Sequence, residues 1–177
     1  TDALVGKSGR RVGREGVPRC GRGNVRRELV RLLPDINALA IQLIEDHPGH
    51  SYVAEQLVPA LRGEHTLLMF GYLPLRVQWV LEDLDFSTIQ ARNAVTSLLQ
   101  YPMEPINVNP DTVLEAYEIS ANKNHDVYDC FYVALARRSN ADRLVTTDRD
   151  FETLCEDEPF DYTNPVPDDV LSEFYAV

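Results

Sequence analysis

Long apolar runs are missing from this chain, as are paired cysteines and, almost entirely, lysine. The longest uncharged apolar stretch covers only residues 130–136, far short of the roughly eighteen needed to cross a bilayer, so no membrane span is expected. The first thirty residues hold no apolar block of the secretory kind. Three cysteines, Cys20, Cys130 and Cys155, are odd in number and far apart, and no CxxC pair occurs. Reduced thiols in a cytoplasm are the expectation, and a zinc site is not, because His47 and His50 flank the turn-like pair Pro48-Gly49.

What the chain has in excess is negative charge, and it is unevenly spread. The net charge of -11 over 177 residues conceals a segment 1–27 with eight basic groups against Asp2 and Glu15, leaving -17 on the remaining 150 residues. Six of the nine glycines also fall in that first segment, which shows no apolar periodicity. It reads as a basic Gly/Arg-rich tail, disordered or non-native, because the chain starts with Thr1 and the first strand pattern follows Val25. A basic arm for nucleic acid is the other reading. Gly6-Lys7-Ser8 has the ending of a phosphate-binding loop, but Thr1 stands where its first glycine belongs.

The chain is 44% hydrophobic, and its body, 28–177, has the size of one domain. Only two lysines, fifteen arginines and acids scattered along every segment suit a strongly saline cytoplasm, where salt screens self-repulsion. Periodicity and cap signals predict strands at 28–33, 66–70, 106–108, 143–146 and 160–163. Helices are predicted at 37–46, 51–61, 74–84, 87–101, 109–122, 126–138 and 167–174, with Pro59 awkward inside the second. Strands alternating with helices predict an α/β fold with a parallel sheet.

Ligand sites in such sheets lie outside the carboxyl ends of the strands. Asp35 ends the first strand pattern, Asp148 follows the strand at 143–146, and Asp126 and Asp129 share the first turn of the most apolar helix. Each acid has a structural alternative: Asp35 and Asp126 suit helix caps, Asp129 the other half of a capping arrangement, and Asp148 and Asp150 a turn. Acids from three separate element ends at one crevice instead suggest a site for magnesium or manganese, which would activate water against a phosphodiester. Asp148-Arg149-Asp150 also has the spacing of aspartyl-phosphate hydrolases. That chemistry needs a phosphate-neutralising lysine, and Lys123 is the body's only one.

Four motifs carry a resemblance. Residues 32–37 (Leu-Leu-Pro-Asp-Ile-Asn), 128–136 (Tyr-Asp-Cys-Phe-Tyr-Val-Ala-Leu-Ala), 144–151 (Leu-Val-Thr-Thr-Asp-Arg-Asp-Phe) and 162–165 (Tyr-Thr-Asn-Pro) resemble the strand and central-helix motifs of PIN-domain proteins. The likeness spans about residues 28–166. It implies a three-layer α/β/α domain with a central, mostly parallel sheet, and a magnesium- or manganese-dependent ribonuclease, often the VapC-type toxin of a toxin-antitoxin pair. By position it makes Asp35, Asp129 and Asp148 metal-site acids, Asn37 and Thr147 polar supports, and Asp126 and Asp150 further ligands or neighbours of ligands. RNA would be the substrate, an antitoxin protein and a second copy of the chain the partners. Arg76 and Arg149 are candidates for RNA phosphates. The chain departs from the pattern at one point: the family's Glu on the helix after the second strand is absent, since no acid lies between Thr66 and Leu81. That motivates the alternative of a PIN-like binding or assembly module with weakened or lost catalysis.

Overall fold

A computed structural model of the chain describes residues 29–174. The tail 1–27, including Cys20, lies outside the described residues. In chain order the elements are β1 (Arg31–Pro34), α1 (Ile36–Leu43), α2 (His50–Leu61), β2 (Thr66–Phe70), α3 (Leu73–Asp83), α4 (Thr88–Leu98), β3 (Glu104–Ile106), α5 (Pro110–Lys123), α6 (Val127–Arg138), β4 (Arg143–Val145), α7 (Asp150–Leu154), β5 (Asp161–Thr163) and α8 (Asp168–Phe174). None of these helices is long and apolar enough to cross a membrane.

The five strands form one sheet in the order β3-β2-β1-β4-β5, and every pairing is parallel. From β1 the chain steps outward to β2 and β3, then crosses back to β4 on the other side. β1 and β4 therefore meet where the winding reverses, and α/β sheets open a crevice at that point. Helices α1 to α4 pack together, while α5, α6 and α7 form a second group, giving the three α/β/α layers.

The register fixes the crevice. Leu32, Leu33 and Pro34 pair with Arg143, Leu144 and Val145. Pro34 has no N–H to give, and the next donor, the Asp35 N–H, closes on the Val145 carbonyl at 2.9 Å. The two chains thus leave the sheet side by side, one into Asp35 and the other into Thr146.

Local signals account for most helix starts. Ser87 and Gln90 form a full capping box on α4, Asn109 accepts from Thr112 N–H with Pro110 at the first position of α5, and Asp126 caps α6. Residues 130–136 of α6 are all buried, as an uninterrupted apolar run requires.

Several boundaries differ from the sequence reading. β1 begins at Arg31, where pairing with Thr66 becomes available. α1 ends at Leu43 because Ile44 turns extended. α2 starts at His50 on Gly49 with no side-chain cap, so Ser51 lies within the helix, and Pro59 sits in its last turn. β3 falls at Glu104–Ile106, two residues early, and α7 was not foreseen. His47 Nδ1 accepts from Gly49 N–H at 3.0 Å, and His50 Nδ1 lies 3.2 Å from the Ile41 carbonyl, so both rings serve the α1–α2 turn.

Candidate functional site

β1 and β4 deliver Asp35 and Asp148 to neighbouring positions at the carboxyl edge, and the first turn of α6 brings Asp129 to them. Asp35 is 3% exposed. Its Oδ1 accepts from Ala38 N–H at 2.7 Å, capping α1, and its Oδ2 accepts from the Thr146 hydroxyl. The same hydroxyl oxygen accepts from Asp148 N–H at 3.0 Å. Thr146 is therefore the joint between the two acids, and it is absent from the sequence-derived candidates. Thr147, the expected support, is buried and offers its carbonyl to Asn164 Nδ2 at 3.3 Å. Asn37 lies half-buried in the first turn of α1.

The remaining acids line the rim. Asp148 is half-buried, and its Oδ1 accepts from Asp150 N–H at 2.9 Å, the turn expected of an Asp two residues upstream. Asp126 is exposed and accepts from Tyr128 N–H at 2.8 Å. Asp129 makes no capping bond in return. Its Oδ2 lies 3.5 Å from Nδ1 of His125, one turn earlier. That spacing of four was readable in the sequence and marks His125 as a neighbour of the site.

Electrostatics tie these acids together. Burial pushes the Asp35 carboxyl up to about 7, against the pull of its hydrogen bonds to Ala38 and Thr146, and the charge of Asp148 adds to the rise. Burial, followed by Asp148, lifts Asp129 to about 6; His125 opposes, while Asp126 and Asp150 reinforce. Asp148 therefore acts on both Asp35 and Asp129, while Asp126 and Asp150 act on Asp129.

Their donors suit a hard divalent cation, since all are carboxylate oxygens and the mutual repulsion would be relieved by positive charge. Among the described residues, no three His, Cys, Asp or Glu side chains stand in a ready cage around one point. Each carboxylate oxygen keeps a second lone pair, so the bonds to Ala38 and Thr146 do not exhaust Asp35.

Of the two candidate arginines, Arg149 is exposed and bound to Asp168 at 2.7 Å. Arg76 lies half-buried on α3, its guanidinium 4.6 Å from the Trp79 ring centre and 5.5 Å from that of Tyr128. The first two turns of α3 hold no acid, and Glu82 at its far end bonds Gln78. Beneath the crevice Phe70, Phe131, Tyr132 and Phe151 pack edge to face.

A PIN-domain family model matches residues 33–157. No curated protein matches the chain significantly. Among solved structures, VapC20 of Mycobacterium tuberculosis, a Sarcin-Ricin loop cleaving toxin, is similar at 14% identity and TM-score 0.56, over 69% of this chain and 93% of that one. VapBC2 from Rickettsia felis, solved on a DNA fragment from its promoter, is similar at 15% identity and TM-score 0.58, over 76% and 98%. PAE2754 from Pyrobaculum aerophilum is similar at 16% identity and TM-score 0.54, over 84% and 91%.

Proposed function

The chain belongs to the PIN-domain family, and on that premise we propose that it is a metal-dependent endoribonuclease, the toxin of a toxin-antitoxin pair. The observation that carries the reading is the convergence of Asp35, Asp129 and Asp148 at the β1/β4 edge, where burial, and after it the charge of Asp148, raises the carboxyls of Asp35 and Asp129. Asp35, Asp129 and Asp148 would hold magnesium or manganese, with Asp126 and Asp150 at the rim. A bound divalent ion supplies positive charge for the phosphoryl group and makes water a stronger nucleophile. The chain's own part is to fix the acids. Thr146 holds Asp35 and the Asp148 backbone in one arrangement, and Tyr162, donating its hydroxyl to the Asp148 carbonyl at 3.0 Å, braces the loop from β5.

The similarity to a Sarcin-Ricin loop cleaving toxin and to VapBC2 supports RNA as substrate and an antitoxin as partner. A homodimer belongs to the same reading, as does a saline cytoplasm. The acid-free start of α3 favours a second reading, a PIN-like module that binds without cutting.

Cleavage of structured and single-stranded RNAs in molar potassium chloride with manganese decides between them. Cutting that Asp35→Asn and Asp148→Asn both abolish is the expected result. No cutting, with no manganese uptake by calorimetry, selects the non-catalytic module.

A further inference from the structure

Of the three acids proposed for the site, Asp148 has the least local support. Asp35 caps α1, and its N–H closes on the Val145 carbonyl. Asp129 stands in the first turn of α6, whose residues 130–136 are buried. Asp148 belongs to no helix or strand and lies on the link 146–149 between β4 and α7. Such a link takes its position from whatever satisfies its backbone, because no helix or strand ladder does so.

The partners come from one later segment, beyond the residues 33–157 that the PIN-domain model matches. β5 pairs with β4 as far as Thr163 and Val145, and the Thr146 N–H then closes on the Thr163 carbonyl at 3.1 Å. There the ladder ends and side chains take over. Asn164 Nδ2 donates to the Thr147 carbonyl, and the Tyr162 hydroxyl to the Asp148 carbonyl. Arg149 reaches Asp168 at 2.7 Å. Residues 146, 147, 148 and 149 are thus gripped in turn by residues of the stretch 162–168.

That stretch is itself anchored. The Val166 N–H donates to Asn164 Oδ1 at 3.1 Å, so both ends of the amide are used and its orientation is fixed. Val166 and Leu171 are buried, which pins the run into α8. Packing contributes little to the hold, since a cavity of about 280 Å³ separates link and stretch, lined by Arg149, Glu152, Tyr162, Asn164, Val166 and Asp168. The ion pair contributes little too, because Arg149 and Asp168 are 54% and 85% exposed and salt screens them. The half-buried hydrogen bonds of Tyr162 and Asn164 are what remains.

We infer that Tyr162 and Asn164 are positioning residues, which hold the link so that Asp148 keeps its place beside Asp35 and Asp129. The Thr146 hydroxyl joins the acids from inside the link, and these two side chains fix it from outside. The inference rests on Asp148 serving the proposed site and adds what sets its place.

Tyr162→Phe removes one hydroxyl. Asn164→Asp keeps the oxygen that Val166 uses and removes the donor to Thr147. Amide hydrogen exchange of the full-length protein is followed by mass spectrometry, in potassium chloride at which the chain is folded. The link reports directly, because the Asp148 and Asp150 N–H groups are bonded within it. Exchange over residues 146–150 is expected to quicken about tenfold in either variant, with residues 130–136 of α6 unchanged. Asp168→Asn is expected to match the unaltered chain. In the manganese cleavage assay both variants are expected to lower kcat about tenfold and leave KM unchanged, as a misplaced acid does and weaker RNA binding does not.

Unchanged exchange over 146–150 in both variants overturns the inference. So does exchange that quickens equally in α6, since the two residues would then support the whole fold, or exchange that quickens in Asp168→Asn alone, which would give the hold to the ion pair. A chain that shows the expected exchange yet cuts no RNA keeps the hold on Asp148 and loses the nuclease. Cleavage indifferent to both variants keeps the nuclease and overturns the positioning role.

Discussion

At the amino end of β1, Arg31 bonds both oxygens of Glu104, at 2.8 and 2.7 Å, and the carbonyls of Ser139 and Asn140. Its backbone N–H bonds Asp142 at 2.7 Å. Four residues later, at the carboxyl end, Asp35 meets the like charge of Asp148. The titrations run in opposite directions accordingly. Arg31 is raised and Glu104 lowered, chiefly by their hydrogen bond, so both favour their charged forms. Asp35 and Asp129 are raised, chiefly by burial, and favour their neutral forms. One end of the strand is neutralised by an oppositely charged partner within the chain, and the other gathers acids whose charge has no such partner there to offset burial. The contrast marks the carboxyl end as the candidate site without reference to any relative.

The largest effect that would sharpen this contrast is on cleavage. Asp129→Asn or Asp148→Asn is expected to lower the rate at least about 100-fold in a gel assay with manganese, while the melting temperature holds or rises because a repulsion is gone. A fall in melting temperature instead would make these acids structural, like those at the other end.

Thr146→Val removes the hydroxyl that serves Asp35 and the Asp148 N–H together. It is expected to cost about 1–3 kcal/mol in denaturant unfolding and to slow cleavage as well, since the acids lose their joint. Arg31→Ala, at the neutralised end, is expected to lower the melting temperature by no more than about 4 °C and to leave cleavage untouched. Slower cleavage in Arg31→Ala would break the separation of the two ends.

A further effect is on the pH profile of stability. Asp35 and Asp129 move from the ordinary 3.8 to about 7 and about 6 in the fold. Between about 4 and about 7 the folded chain keeps protons that the unfolded chain has released, so stability falls as pH rises through that window. Melting curves across pH 4 to 8 in molar salt would show the slope, and Asp148→Asn or added manganese should flatten it.

The parts of the molecule that sequence made readable are those whose partners are near in the chain. The caps at Ser87, Asn109 and Asp126 bond two or three residues ahead, and the apolar run of α6 announces its own burial. The alternation of strands and helices gave the parallel sheet, and the position of Asp35 and Asp148 at strand ends followed from it. What stayed hidden depends on distant partners. Thr146 looks like its neighbour Thr147 until Asp35, 111 residues away, selects its hydroxyl. β1 started late because its register is set by Thr66 and Arg143. α7 hid in residues that also make turns, and the ring cluster needs α6 to bring Tyr128 over Arg76.

Asp35 both caps α1 and stands in the crevice, and this double employment bears on how such a protein ages through mutation. Losing Asp129 removes no helix cap and losing Asp148 frees only the first N–H of the short α7, but losing Asp35 removes the cap of α1. In a lineage where the proposed activity is no longer selected, drift would erase the half-buried acids first and leave the fully buried one as a relic. Among descendants of this chain, an Asp after the first strand would record the fold, and only its company on α6 and after β4 would record the activity.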